Sequence, residues 1–225
     1  MAEKKDPRWS KQFGDFGEQL VMYLIGRHKN MKVALVDHAG ADLIASDLGN
    51  KANRYAISVK SHSLNVSVSN GKVDMESKCY TFDEHNVTEL WNFARNFDLQ
   101  PALSMVIVQP IVGPQYADWA EKKENAKKSG KYFEQHEQLV IDVFTFLLED
   151  ADQMMAEGKP YITKNKNQSV GGFNFNFANR YFKELTADKR IDHVRLRFDP
   201  FSDVREWDCQ HPMDRNAAQQ AAEEE

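Results

Sequence analysis

An α/β fold is predicted by three observations: an apolar row with helical spacing near the N-terminus, a series of short strand-like segments separated by turn signals, and a continuous apolar run at Leu103–Val108. Phe13, Phe16, Leu20, Val21 and Leu24, with Gly17 in the same row, recur at three-to-four spacing and place a helix over residues 10–28. Strands follow at Met31–Val36, at Leu43–Ala45 after the turn Asp37-His38-Ala39-Gly40, and at Tyr55–Lys60 after Asp47-Leu48-Gly49-Asn50. Asn70-Gly71 supplies the positive backbone angles of a tight hairpin between Leu64–Val68 and Lys72–Tyr80. Thr81-Phe82-Asp83-Glu84 has the composition of a helix cap before the row Val87, Leu90, Trp91, Ala94 and Phe97. Leu103–Val108 then reads as a strand buried on both faces.

Beyond Pro110 the periodicity weakens. Tyr116–Lys128 reads as a helix whose lysines at 122, 123, 127 and 128, with Lys131 beyond, form a solvated face rather than a phosphate-binding patch. Gln138–Leu148 fits strand or helix, setting Ile141, Val143 and Thr145 against Asp142 and Phe144, and Asp150–Glu157 is helical. Phe173, Phe175 and Phe177 alternate with asparagine on one strand face; burial explains them better than base stacking, although Arg180 and Lys183 stand nearby. A helix over Ala178–Lys189 and a strand over His193–Phe198 complete the ordered chain, and Lys159, Lys164 and Lys166 flank a polar loop. The resulting plan is a core over residues 1–110, an extension over 111–207 packed on it as part of the same domain, and a disordered tail over 208–225.

With 225 residues, 41% of them hydrophobic, the chain can bury a core. It has no apolar stretch of membrane-spanning length and no secretory signal, so a soluble cytoplasmic protein with no membrane partner is expected. Cys79 and Cys209 are too few for a disulfide framework or a cysteine zinc site, and the seven histidines lack paired metal spacing. A net charge of −5 argues against a nucleic-acid coat protein but allows an enzyme that confines positive charge to one groove.

Chemistry concentrates around Asp42 and Lys60. Hydrolysing a phosphodiester takes a metal ion to polarise the phosphate and acidify a water, together with a group that orients that water. Carboxylates suit Mg²⁺. Asp42, early in the second strand, is the first ligand candidate; the period of two turns Ser58 and Lys60 to one face of the third strand, so Lys60 shares a site with Asp42 if those strands are neighbours. Glu18 lies beside Val21, Met22 and Ile25 on its helix, where a carboxylate needs a partner such as a metal-bound water.

The segments Phe13-Gly14-Asp15-Phe16-Gly17-Glu18-Gln19-Leu20, Asp37-His38-Ala39-Gly40-Ala41-Asp42 and Ile57-Ser58-Val59-Lys60-Ser61 resemble the PD-(D/E)xK nuclease superfamily, with its restriction-endonuclease-like and Holliday-junction-resolvase-like fold. The resemblance covers about residues 10–63, and the element order out to Val108 is similar to that family's αβββαβ core, a central mixed sheet flanked by helices. It implies a Mg²⁺ or Mn²⁺ site at Asp42, completed by the Val59 carbonyl and approached by Glu18, with Lys60 positioning the water. It also implies DNA as partner and a homodimer, since paired sites are needed to cut both strands, while the acidic balance and the long C-terminal extension suggest a subunit of a larger complex. Ser58 departs from the pattern, which places an acid or Gln two residues before the lysine; Asp37, Asp74 and Glu76 are candidate substitutes.

Asp42 alone is an ordinary turn-ending residue, Lys60 alone a strand-end lysine, and His62, next on the same face, an exposed histidine with a weaker claim to a phosphate. The three residues Glu18, Asp42 and Lys60, in this order on these elements, make a Mg²⁺-dependent DNA endonuclease the leading expectation. A degenerate nuclease-fold module that binds nucleic acid or protein without cleavage is the alternative, and a subunit active only within a complex is a third. No segment is singled out as the nucleic-acid-binding surface.

Overall fold

The computed structural model describes residues 7–50, 53–63, 66–69, 72–75, 79–110, 139–166, 171–177 and 179–198. Helix α1 (Pro7–His28) leads into β1 (Met31–His38), β2 (Ala41–Asp47) and β3 (Arg54–Ser63). A short ribbon, β4 (Val66–Ser69) and β5 (Lys72–Met75), precedes β6 (Cys79–Phe82), α2 (Glu84–Asn96) and β7 (Gln100–Pro110). Then come β8 (Leu139–Leu147), α3 (Leu148–Ala156), β9 (Ile162–Lys164), β10 (Phe173–Asn176), α4 (Asn179–Ala187) and β11 (Asp192–Phe198). The main sheet has the strand order β1-β2-β3-β7-β8-β11. Only β3 and β7 are parallel neighbours, because α2 carries the chain over between them; every other pair is antiparallel, which makes the sheet mixed. The order α1-β1-β2-β3-α2-β7, with helices against the sheet, is the αβββαβ arrangement expected from the sequence.

Each face of this sheet has its own core. Val21 and Leu24 of α1 pack on Leu43, Ala45, Ile57, Val59, Ala102, Val106, Ile141 and Val143. The opposite face carries Ala56, Leu103, Met105, Ile107, Phe144 and Phe146 beneath Leu90, Phe93 and Ala94 of α2. Beside α2 a second sheet, β6-β10-β9, covers the rest of that face. Phe173 and Phe175 of β10 and the following Phe177 are all buried, and the Phe175 ring lies 5.3 Å from Phe146 and 5.7 Å from Phe144. These rings are core, so the base-stacking alternative falls.

The helices begin and end for local reasons. Pro7 opens α1, where its missing N–H costs nothing, and Arg27 and His28 close it at the negative end of the helix dipole. Asp83, not Thr81, caps α2: its Oδ1 accepts from the Asn86 N–H at 2.8 Å. Gly40, at φ 90°, turns β1 into β2 against the α2 backbone, where a Cβ would sit 2.6 Å from the carbonyl carbon of Glu89.

Several sequence expectations needed correction. Lys72–Tyr80 is not one strand: β5 ends at Met75 and β6 starts at Cys79. The β4–β5 ribbon pairs with itself, Ser69 opposite Lys72, and joins neither larger sheet. Of the segment left open between strand and helix, Leu139–Leu147 is strand, its apolar residues packing on both faces of the main sheet, and Leu148 already begins α3. The polar loop expected around Lys164 contains β9, which Ile162 anchors in the core. Phe16 is 44% exposed and stacks on Phe13 instead of entering the core, and Phe97 caps α2 at the surface. The helix expected at Tyr116–Lys128 with its basic run, the turn residues Asn70 and Gly71, Cys209 and the tail over 208–225 lie outside the described residues.

Candidate active site

Strands β2 and β3 pair in register up to Leu43 opposite Ile57, and one step further Asp42 stands beside Ser58. Its Oδ2 accepts the Val59 main-chain N–H at 2.6 Å and the Ser58 hydroxyl at 3.2 Å. Lys60 brings Nζ to 3.9 Å from the same oxygen. Two hydrogen bonds and one longer ion pair therefore converge on Oδ2, while Oδ1 has no partner among the described residues. A strand residue's N–H and C=O leave the chain on the same side, so the Val59 carbonyl also faces β2 and Asp42. Asp42 and Lys60 keep 26% and 28% of their side-chain surface in contact with solvent, so the pair is reachable while the strands fix it.

Glu18 reaches this cluster from α1, and Gly17 is the reason the helix comes close enough. A Cβ at Gly17 would lie 1.8 Å from Ser61 Oγ and 3.2 Å from Ser61 Cβ, so any larger residue here makes the Ser61 side chain turn away and α1 press closely on β3. The Glu18 carboxyl is held above its ordinary range, first by burial, then by the charges of Asp42 and Asp15, against opposing pulls from Lys60 and Lys11. Asp42 and Lys60 are thus both close enough to Glu18 to act on its charge.

The secondary candidates fare differently. Ser58 is 5% exposed, and its hydroxyl belongs to the cluster through Asp42. His62 shares the face of Lys60 but is half-buried, with its ring 6.1 Å from those of Tyr80 and Phe177, so the exposed histidine expected from sequence is corrected. Asp37 lies on β1 and Asp74 on β5, with side chains outside the described set, and Glu76 is wholly outside it. Among the described residues no group of three or more His, Cys, Asp or Glu side chains is placed to hold a metal ion. The available donors are two carboxylates and a main-chain carbonyl. That small, all-oxygen set fits Mg²⁺, which binds through one or two carboxylates and keeps several of its waters.

Sequence reasoning missed a second polar cluster. Asp142, 1% exposed on β8, accepts from Arg195 Nε at 2.8 Å and Nη2 at 2.9 Å, and its Oδ1 lies 2.7 Å from His193 Nε2. Arg195 also stacks over Phe182 at 4.4 Å, and His193 over Phe144 at 4.6 Å. The signal was present as an acid on the apolar side of a strand, but its partners are fifty residues away in sequence. Registered neighbours run His62–Ile107–Asp142–Arg195 across the sheet, so this cluster lies on the same sheet face as Lys60, with β7 between the two.

No protein-family model matches this chain, and no curated protein matches its sequence. Among solved structures it is similar to a Holliday junction resolvase from the archaeal hyperthermophile Archaeoglobus fulgidus. The identity is 13% and the TM-score 0.32, over 54% of this chain and 98% of the resolvase chain. A likeness at that level says nothing about activity. No helix among the described residues is long and apolar enough to cross a membrane.

Proposed function

We propose that the chain is a metal-dependent nuclease that hydrolyses DNA phosphodiester bonds at the Asp42 cluster. The observation that carries this reading is the convergence of Val59 N–H and Lys60 on one oxygen of Asp42, with the Glu18 carboxyl in the same field. Asp42, the Val59 carbonyl and Glu18 would hold Mg²⁺ or Mn²⁺, which when bound polarises the phosphate and acidifies a water. The chain's own residues supply the rest. Lys60, anchored by Asp42 yet exposed at its head, orients the attacking water and offsets negative charge at the phosphate. Val59 N–H and Ser58 hold the Asp42 carboxylate in one orientation, and α1 keeps Glu18 beside it through the close approach at Gly17. In this reading the described part of the extension, from β8 to β11, belongs to the same domain as the core, since β8 and β11 continue its sheet.

The test is cleavage of supercoiled and branched DNA with Mg²⁺ or Mn²⁺ by the parent chain, Asp42→Asn and Lys60→Ala. Loss of about a hundredfold or more in rate by each variant, with unfolding transitions unchanged, is the expected result. Equal cleavage by parent and variants sinks the assignment. DNA binding without cleavage, unaffected by Asp42→Asn, favours the non-catalytic module to which Ser58 points.

A further inference from the structure

The geometry assigns to Ser58 the role of a positioning residue: its hydroxyl fixes the Asp42 carboxylate, so that a divalent cation would meet a pre-set ligand. This inference rests on the reading of Asp42 as a metal ligand. Ser58 is 5% exposed, and its Oγ lies 3.2 Å from Asp42 Oδ2. An acid at this position would set a second carboxylate within hydrogen-bonding reach of Asp42, in surroundings nearly free of water. Two such carboxylates repel until a cation separates them. Serine removes that repulsion and adds a donor.

Together with Val59 N–H and Lys60 Nζ, the hydroxyl loads Oδ2, so that Oδ1 would be the oxygen left to meet a cation. Asp42 is thereby oriented before any cation arrives. The consequence is a site with fewer charged ligands, and hence a lower metal affinity, than one with an acid at position 58. Ser58 touches neither cation nor substrate in this arrangement; it acts through Asp42, as outer-shell hydrogen bonds do for other metal-ligating carboxylates.

The test is calorimetric titration of Mn²⁺ into the full chain and into Ser58→Ala, Ser58→Thr, Ser58→Asp and Asp42→Asn, each with its thermal unfolding recorded without metal. Ser58→Ala should weaken Mn²⁺ binding about tenfold while its unfolding temperature stays close to the parent's. Ser58→Thr, which keeps the hydroxyl, should restore affinity. Ser58→Asp should bind Mn²⁺ more tightly than the parent and unfold at lower temperature without it. If Asp42→Asn loses binding while Ser58→Ala binds like the parent, Ser58 has no positioning role and the nuclease reading stands. If Asp42→Asn binds like the parent, or the parent binds no Mn²⁺, the reading and this inference fall together.

Discussion

Glu18 shows how a partly buried carboxylate weakens the fold that holds it. Its carboxyl is raised mainly by burial and then by Asp42, so the folded chain binds that proton more tightly than the unfolded chain does. Stability therefore falls as pH rises from the unfolded glutamate value of about 4.3 to the raised folded value, and the penalty persists above it. Glu18→Gln removes the penalty and should raise the unfolding temperature at pH 7 in metal-free buffer, with the gain shrinking at pH 4. Thermal scans at both pH values check it, and an unchanged temperature at pH 7 contradicts it. Asp142 is the opposite case, a buried charge fully paired. Arg195→Met should lower stability by about 3 kcal/mol, because it strips the bidentate partner from a carboxylate with almost no contact with water. Asp142→Leu combined with Arg195→Met should recover part of that loss in urea unfolding.

Between elements, the contact of α1 with β3 decides whether the site assembles. Gly17→Ala raises helix propensity by about 1 kcal/mol, yet the added methyl runs into Ser61 Oγ and forces the helix off the strand. A net loss of about 1–3 kcal/mol and weaker metal binding are expected. Both should return in Gly17→Ala combined with Ser61→Gly, and a double-mutant cycle on unfolding free energy and Mn²⁺ affinity measures the coupling. Helix α1 and strands β1–β3 were legible because turn signals and period-two alternation mark them locally. The break between β5 and β6 was not, because Lys72–Tyr80 has no turn signal inside it and strand ends there are set by partners distant in sequence. Tyr80 and Phe82 pair with Phe175 and Phe173, about ninety residues later. Phe175→Ala should remove about 3–5 kcal/mol by opening a hole between the two sheets.

At the scale of the whole molecule, the small sheet, α3 and the turn into β11 are tied together by one polar network. Arg190 donates to both oxygens of Glu157 and to Asp188, and the buried Tyr161 hydroxyl donates to Asp188 Oδ2 at 2.5 Å. The Arg190 hydrogen bonds hold the Asp188 carboxyl well below the usual range, and burial first, then Asp188, pushes the Tyr161 phenol up. A depressed carboxyl contributes stability above its unfolded value of about 3.9 that is lost as pH falls toward the folded value. The stability gap between the parent and Asp188→Asn should therefore be wide at pH 7 and narrower at pH 3 in urea unfolding; an equal gap at both contradicts the account. Glu157 and Tyr161 lie about thirty residues before Asp188 and Arg190, which is why no local sequence pattern announced the network.

By itself the sequence determined the order of helices and strands in the core, because hydrophobic period and turn chemistry act over a few residues. It also determined that Glu18, Asp42 and Lys60 would fall on the first helix and on the second and third strands of that order. Only the tertiary structure decided that Ser58 serves Asp42 as a hydrogen-bond donor, that His62 lies half-buried between aromatic rings, and that Asp142 is paired with β11. Those outcomes depend on which strands become neighbours and in what register, and burial of apolar faces across the whole chain sets both.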